Sequence, residues 1–207
     1  MGDQVVGKHR ELIEIVESAE LRSVERDRQI LDGDLSPLVE RDRSNDGMIV
    51  EVGKLSGAAK EEVRADGAHV TPGFTDIHTH YDAQIIWDRM MSISPWHGVT
   101  TTVLGNCGFG VAPTRAAHRD MIIRTLEKVE GMSVHALQAG LGEDWPFETF
   151  GEYLDVIEAR GSAINMAVLL GHTPLRMYVM GEAATERAAT DDEIEEMRTI
   201  VKQGMKA

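Results

Sequence analysis

The sequence predicts an α/β fold: a small β-rich part comes first, and strands and helices then alternate over a parallel sheet. Short apolar or β-branched runs of strand length recur at Met48–Val52, 74–80, Val99–Leu104 and 163–170. Helical stretches separate the last three, and strand–helix alternation implies right-handed βαβ units. Thr190 with Glu193 forms a capping-box pattern ahead of a final helix.

At the start, Leu12, Ile13, Ile15, Val16, Ala19 and Val24 fall near helical spacing among Glu and Arg, so an amphipathic helix is expected within residues 1–28. Asp32-Gly33 and Ser36-Pro37 are turn signals, and the charged run Glu40-Arg41-Asp42-Arg43 reads as solvated loop. Asp46-Gly47 is a tight turn into the strand Met48–Val52, and residues 63–70 add another strand. Residues 29–72 thus form a β-rich subdomain closed by Pro72-Gly73. Beyond it, 85–96 is loosely helical. Thr100, Thr101 and Thr102 make Val99–Leu104 a β-branched run of the kind found in buried parallel strands. Helices follow at 116–129 and 150–159, and Ile194, Met197, Ile200 and Val201 supply a buried stripe to the last helix up to Lys202. There is no short internal repeat and no low-complexity tract.

The chain has 207 residues, 42% hydrophobic and 27% charged, the balance of a soluble globular protein. With 35 acidic against 21 basic residues its net charge is −14, which repels polyanions and argues against nucleic acid as a partner. No apolar run approaches the roughly 20 residues that span a bilayer, and residues 1–12 are polar, so no membrane partner and a cytoplasmic location are expected. The single cysteine, Cys107, cannot pair within the chain, so its chemistry is that of a thiolate.

Three places on this frame can carry chemistry. In His78-Thr79-His80 the two imidazoles lie two residues apart on a strand, so they point the same way and can reach one metal ion, with Asp76 on the same face. Loops after parallel strands are where such folds place their sites. Cys107, in Leu104-Gly105-Asn106-Cys107-Gly108-Phe109-Gly110, follows the next strand and would stand beside the histidines; a thiolate binds zinc strongly and can bridge two cations. Its alternative fate is a small buried hydrophobe, against which the flanking glycines argue. The third place is Gly171-His172-Thr173-Pro174-Leu175-Arg176, where His172 and Arg176 could face a pocket and hold an acyl group or a carboxylate. His97 precedes Gly98 in a helix C-cap pattern, which explains it structurally, while His9, His69, His118 and His135 have no partner pattern.

The run Pro72-Gly73-Phe74-Thr75-Asp76-Ile77-His78-Thr79-His80-Tyr81-Asp82 resembles the metal-binding first strand of the amidohydrolase superfamily. Trp96-His97-Gly98-Val99-Thr100-Thr101, Gly105-Asn106-Cys107-Gly108 and Tyr178-Val179-Met180-Gly181-Glu182 resemble its N-acyl-D-amino-acid deacylase (D-aminoacylase) branch, from about Gln29 to the end. The resemblance implies a small β-sandwich attached to a (β/α)8 barrel, with zinc, one or two ions per complete site, at the C-terminal ends of its strands. It implies that His78 and His80 bind the weaker metal, while Cys107 binds the tighter one and replaces the carboxylated lysine of the cyclic amidohydrolases. The implied reaction is hydrolysis of an N-acyl-D-amino acid: metal-activated water attacks the amide carbonyl, and an aspartate after the eighth strand carries the proton.

Against that family the helix expected in 1–28 is atypical, and Arg41–Asn45 stands where an apolar strand belongs. Residues 73–207 supply only the first three βα units, so the catalytic aspartate and the remaining zinc histidines are expected beyond Ala207. An incomplete barrel has open edges, which makes self-association an expectation. A catalytically inactive fragment is the alternative; a cyclic amidohydrolase of the dihydroorotase or hydantoinase kind is another, which needs a strand-four lysine and leaves Cys107 without a task.

Overall fold

The computed structural model describes residues 71–207 throughout and, before them, the strand backbone at 13–15, 28–31, 41–45, 48–52, 61–64 and 70. The chain divides into two compact units, Met1–Thr75 with Ile93–Thr101, and Asp76–Ser92 with Thr102–Ala207.

In the first unit β1 (Ile13–Ile15) pairs antiparallel with β6 (Val70–Pro72), Ile13 opposite Pro72. A four-stranded sheet has the order β4-β3-β2-β5, built from β2 (Arg28–Leu31), β3 (Arg41–Asn45), β4 (Met48–Val52) and β5 (Glu61–Arg64). β2 runs antiparallel to β3 and parallel to β5, and the β3–β4 ladder shifts register between Arg43 and Ser44.

Three expectations are corrected here. The helix expected in 1–28 is a strand at 13–15: Ile-Glu-Ile alternates with period two, Ile is β-branched, and β6 satisfies its backbone groups. The rest of that expected helix, apart from Arg28 in β2, lies outside the described residues. The charged run at 40–43 is not loop from Arg41 onward but the middle strand β3, because ladders on both sides pair its backbone N–H and C=O groups whatever the side-chain charge. Residues 63–70, expected as one strand, hold the end of β5 and the start of β6.

The sheet that positions the site has the order β7-β8-β9, from β7 (Phe74–Asp76), β8 (Val99–Leu104) and β9 (Asn165–Val168). The Phe74 N–H donates to Gly98 O at 2.8 Å and the Thr79 N–H to Val103 O at 3.1 Å, so partners advance together along both segments and β7 and β8 are parallel. Along β8 burial alternates: Thr100, Thr102 and Leu104 are buried, and the residues between them are half-buried. β7 and β9 are shorter than their apolar runs, and Phe74, Ile77 and Leu169 are exposed.

Five α-helices belong to the second unit. α1 (Arg119–Glu130) buries Ile122, Ile123 and Leu126 and stops at Gly131, which takes φ +65° and returns its N–H to Glu127 O. α2 (Val134–Leu141) is capped by Ser133, whose Oγ accepts from the Ala136 N–H. α3 (Phe150–Arg160) and α5 (Asp191–Gly204) both begin with capping boxes, Thr149 with Glu152 and Thr190 with Glu193. α4 (His172–Met180) stands where the sequence reads as loop. Its Pro174 falls in the first turn, where a missing N–H costs nothing.

The loosely helical 85–96 is two 3-10 turns, Gln84–Ile86 and Ser94–His97. Asp88 follows the first and accepts from the N–H groups of Met90 and Ser92. The stripe of α5 is not buried throughout: Ile194 and Val201 are 37% and 38% exposed, although α3 and α4 pack against that helix.

Leu104, Val111, Ile122, Leu126, Leu137 and Tyr153 are almost fully buried, each apolar side chain of this size contributing about 1.5–3 kcal/mol. Phe147 links the core rings, its centroid 5.6 Å from that of Trp145 and 5.0 Å from that of Tyr153. Among the described residues no helix is long and apolar enough to cross a membrane.

Candidate metal centre

His78 and His80 lie just past β7, and Thr79 between them is pinned to β8. The Thr79 N–H and hydroxyl both reach Val103 O, at 3.1 and 2.7 Å, and Thr79 Oγ1 lies 2.9 Å from Thr102 Oγ1. With Thr79 turned inward, its two neighbours face the other way in an extended segment. Their rings stand with centroids 5.4 Å apart at 62°. Asp76, expected on the same face, spends its carboxylate on the His78 N–H at 3.1 Å.

Cys107 joins them from β8. Leu104 ends the strand, and Gly105 at φ +79° opens the turn Asn106–Gly108. Only glycine fits at 105, since a Cβ there would run into the carbonyl oxygen of Leu169. Cys107 itself takes φ +56°, a conformation rare outside glycine that persists where surrounding contacts enforce it and that gathers at functional sites. Asn106 holds the turn by donating from Nδ2 to Val103 O at 2.8 Å and to Thr79 O at 3.3 Å. The result places Cys107 Sγ 3.1 Å from His78 Nε2, and the three potential donor atoms of His78, His80 and Cys107 lie within 4.8 Å of one another.

Behind this cluster is a buried acidic group. Asp82 is 2% exposed; burial raises its carboxyl to about 6, even though it accepts a hydrogen bond from the Gly105 N–H. Burial, and then the charge of Asp82, raise Glu130 at the end of α1 to about 8. Tyr153, whose hydroxyl donates to the Asp82 carbonyl at 2.8 Å, is pushed well above its usual value by burial and stays a donor.

The Glu130 shift has a sign in stability. A carboxyl that goes from 4.5 when unfolded to about 8 when folded makes the native chain retain a proton that the unfolded chain has released. Its contribution is therefore complete below about pH 4.5 and is lost as pH rises through about 8. Urea unfolding should show stability falling between these limits, and Glu130→Gln should remove that part of the slope. An unchanged slope in the variant would show that Glu130 titrates normally.

The third sequence candidate divides. His172 is the first residue of α4, exposed, beside the cysteine turn: a Cβ on Gly108 would lie 3.5 Å from His172 Cβ. Arg176 donates from Nη2 to Ala184 O at 2.9 Å and Arg187 O at 3.0 Å, holding the turn after α4. His97 ends a 3-10 turn whose C-cap is Gly98 at φ +79°. Asn106, Tyr153 and Glu130 carry no sequence signal for these tasks, and Asp82 has one only as part of the His78-Thr79-His80-Tyr81-Asp82 run.

Two imidazoles and a thiolate form a donor set suited to zinc. His80 Nδ1 is buried without a hydrogen-bond partner, and burial, then the charge of His78, lower the His80 pKa and favour the neutral imidazole that a metal requires. Among the described residues this is the one group of three such side chains placed to hold an ion.

Comparison with known proteins gives consistent results. D-aminoacylase of Alcaligenes xylosoxydans xylosoxydans is 37% identical over 158 residues, covering 76% of this chain and 30% of the relative. A crystal structure of D-aminoacylase superposes with a TM-score of 0.68 at 30% identity, over 86% of this chain and 36% of that one. The N-acyl-D-glutamate deacylase of Bordetella bronchiseptica, solved with zinc and a phosphonate that mimics the tetrahedral intermediate, gives 0.66 at 25% identity, over 89% and 37%. The chain thus spans about a third of the length of these relatives. The family model described as the amidohydrolase family matches residues 61–207, and the chain belongs to that family.

Proposed function

We propose that this chain carries the metal-binding part of a zinc-dependent hydrolase that cleaves the linear amide of N-acyl-D-amino acids. The observation that supports it most is the convergence of His78, His80 and Cys107 within 4.8 Å at the ends of neighbouring parallel strands. In this reading residues 29–72 belong to a small β-sandwich and 73–207 to the first three βα units of a (β/α)8 barrel.

Bound zinc supplies Lewis acidity, polarising an amide carbonyl and acidifying water. The chain's own residues set where that happens. His78 and His80 would hold the more weakly bound ion and Cys107 the tighter one. Thr79 and Asn106 keep the two segments in register through Val103, which limits the freedom of all three donors. His172, beside the cysteine turn, lines the approach for the acyl group or the product carboxylate. A small N-acyl amino acid is the partner in this reading; exposed Ile77 and Leu169 offer apolar side chains for self-association.

The test is hydrolysis of paired N-acetyl-D- and N-acetyl-L-amino acids by the zinc-loaded protein. Release of the free D-amino acid, faster than that of its L partner, is the expected result. Release of both enantiomers at equal rates contradicts the assignment, and release no faster than with zinc in buffer favours the catalytically inactive fragment.

A further inference from the structure

Asn106 stands one residue before Cys107, and Thr79 stands between His78 and His80. The side-chain amide of Asn106 joins the two segments. Its Nδ2 donates to Val103 O at 2.8 Å, which ties the turn to its own strand, and to Thr79 O at 3.3 Å, which ties it to the peptide leading into His80. The Asn106 carbonyl accepts from the Phe109 N–H at 3.0 Å and so closes the turn around Cys107.

Losing that amide would not affect the three donors equally. The histidine segment has its own hold on β8: the Thr79 N–H and hydroxyl reach Val103 O at 3.1 and 2.7 Å, the hydroxyl lies 2.9 Å from Thr102 Oγ1, and Thr79 is 6% exposed. Cys107 is exposed and takes φ +56°, a conformation that persists only where its neighbours over-determine it. Without the amide the turn can relax and carry the sulfur away from His78 Nε2, which it now approaches to 3.1 Å. An amide suits this task because one nitrogen carries two N–H donors, enough for both carbonyls.

We propose that Asn106 is a positioning residue that keeps the sulfur of Cys107 in the coordination sphere and thereby sets which metals the site prefers. It touches no reacting atom. A soft thiolate favours thiophilic ions such as zinc and cadmium, whereas imidazoles serve nickel as well. A sulfur set loose therefore weakens the first kind of ion and spares the second. The role rests on the metal centre proposed above.

Cadmium and nickel titrations of the whole chain test it, with cadmium also read by its thiolate-to-metal absorption in the ultraviolet. Asn106→Leu keeps the branched shape and loses both donors. It should weaken cadmium binding about 10- to 100-fold, the usual cost of losing an outer support of a metal site, lower the sulfur band at saturation and leave nickel within a few-fold. Asn106→Ser, whose short hydroxyl cannot serve both carbonyls, should show the same loss for cadmium alone, several-fold in size. Ser133→Ala removes the α2 cap and some stability outside the cluster, and should change neither metal.

If Asn106→Leu does not fold, Asn106→Ser decides. Equal losses of cadmium and nickel overturn the proposal, as does a wild-type cadmium midpoint with a full sulfur band in Asn106→Ser. A wild type without the sulfur band removes the metal centre and this role with it; a wild type with the band, matched by its variants, removes the role alone.

Discussion

Replacing Cys107 by alanine should weaken zinc binding roughly a hundredfold, about 3 kcal/mol. Structural zinc sites with four ligands are worth about 10–16 kcal/mol, so one donor carries a few kcal/mol of the total. The thiolate is also the anionic member of the set; without it two neutral imidazoles face the ion. His172→Ala, one loop away and outside the 4.8 Å cluster, should leave the affinity within a few-fold. Competition against a colorimetric chelator measures both. Equal losses in the two variants would mean that general collapse of this end of the sheet, rather than coordination, sets the affinity.

The second large effect belongs to the backbone. Gly105→Ala combines a left-handed φ of +79° with a Cβ that collides with Leu169 O. The conformation costs about 1–2 kcal/mol and the overpacking a further 1–3 kcal/mol or so, so urea unfolding should report a loss of about 2–5 kcal/mol. That is a large share of the 5–15 kcal/mol or so that holds an ordinary domain together. Gly131→Ala separates the two parts: it shares the positive φ, at +65°, and meets nothing within 4 Å, so it should lose only the conformational cost of about 1 kcal/mol. If both variants lost the same amount, the contact with Leu169 would carry no weight.

How far the sequence goes depends on how local each signal is. Val99–Leu104, the helix over 150–159 and the capping box at Thr190 are written in adjacent residues; the strand and the box stand where the pattern puts them, and the helix runs one residue further, to Arg160. The pairing of His78 with His80 follows from a two-residue spacing. Their meeting with Cys107 is legible once 74–80 and Val99–Leu104 are read as neighbouring parallel strands.

What escaped is non-local. β1 and β3 are strands because of the partners they pair with, so Ile-Glu-Ile was lost in a helical pattern and Arg-Asp-Arg-Ser-Asn looked like loop. α4 begins with Gly171 as its cap and Pro174 in its first turn, residues that suit a turn as well, so the local pattern does not separate the two. Arg176 reads as a candidate to hold an acyl group or a carboxylate, and only the fold shows its Nη2 donating to the carbonyls of Ala184 and Arg187. The stripe of α5 has helical spacing, but spacing does not say what covers it.

The central claim is that the sulfur of Cys107 and the rings of His78 and His80 hold zinc, and X-ray absorption at the zinc edge of the loaded chain tests it most directly. The account predicts one sulfur at about 2.3 Å with imidazole nitrogens at about 2.0–2.1 Å. A first shell of oxygen and nitrogen without sulfur would contradict it.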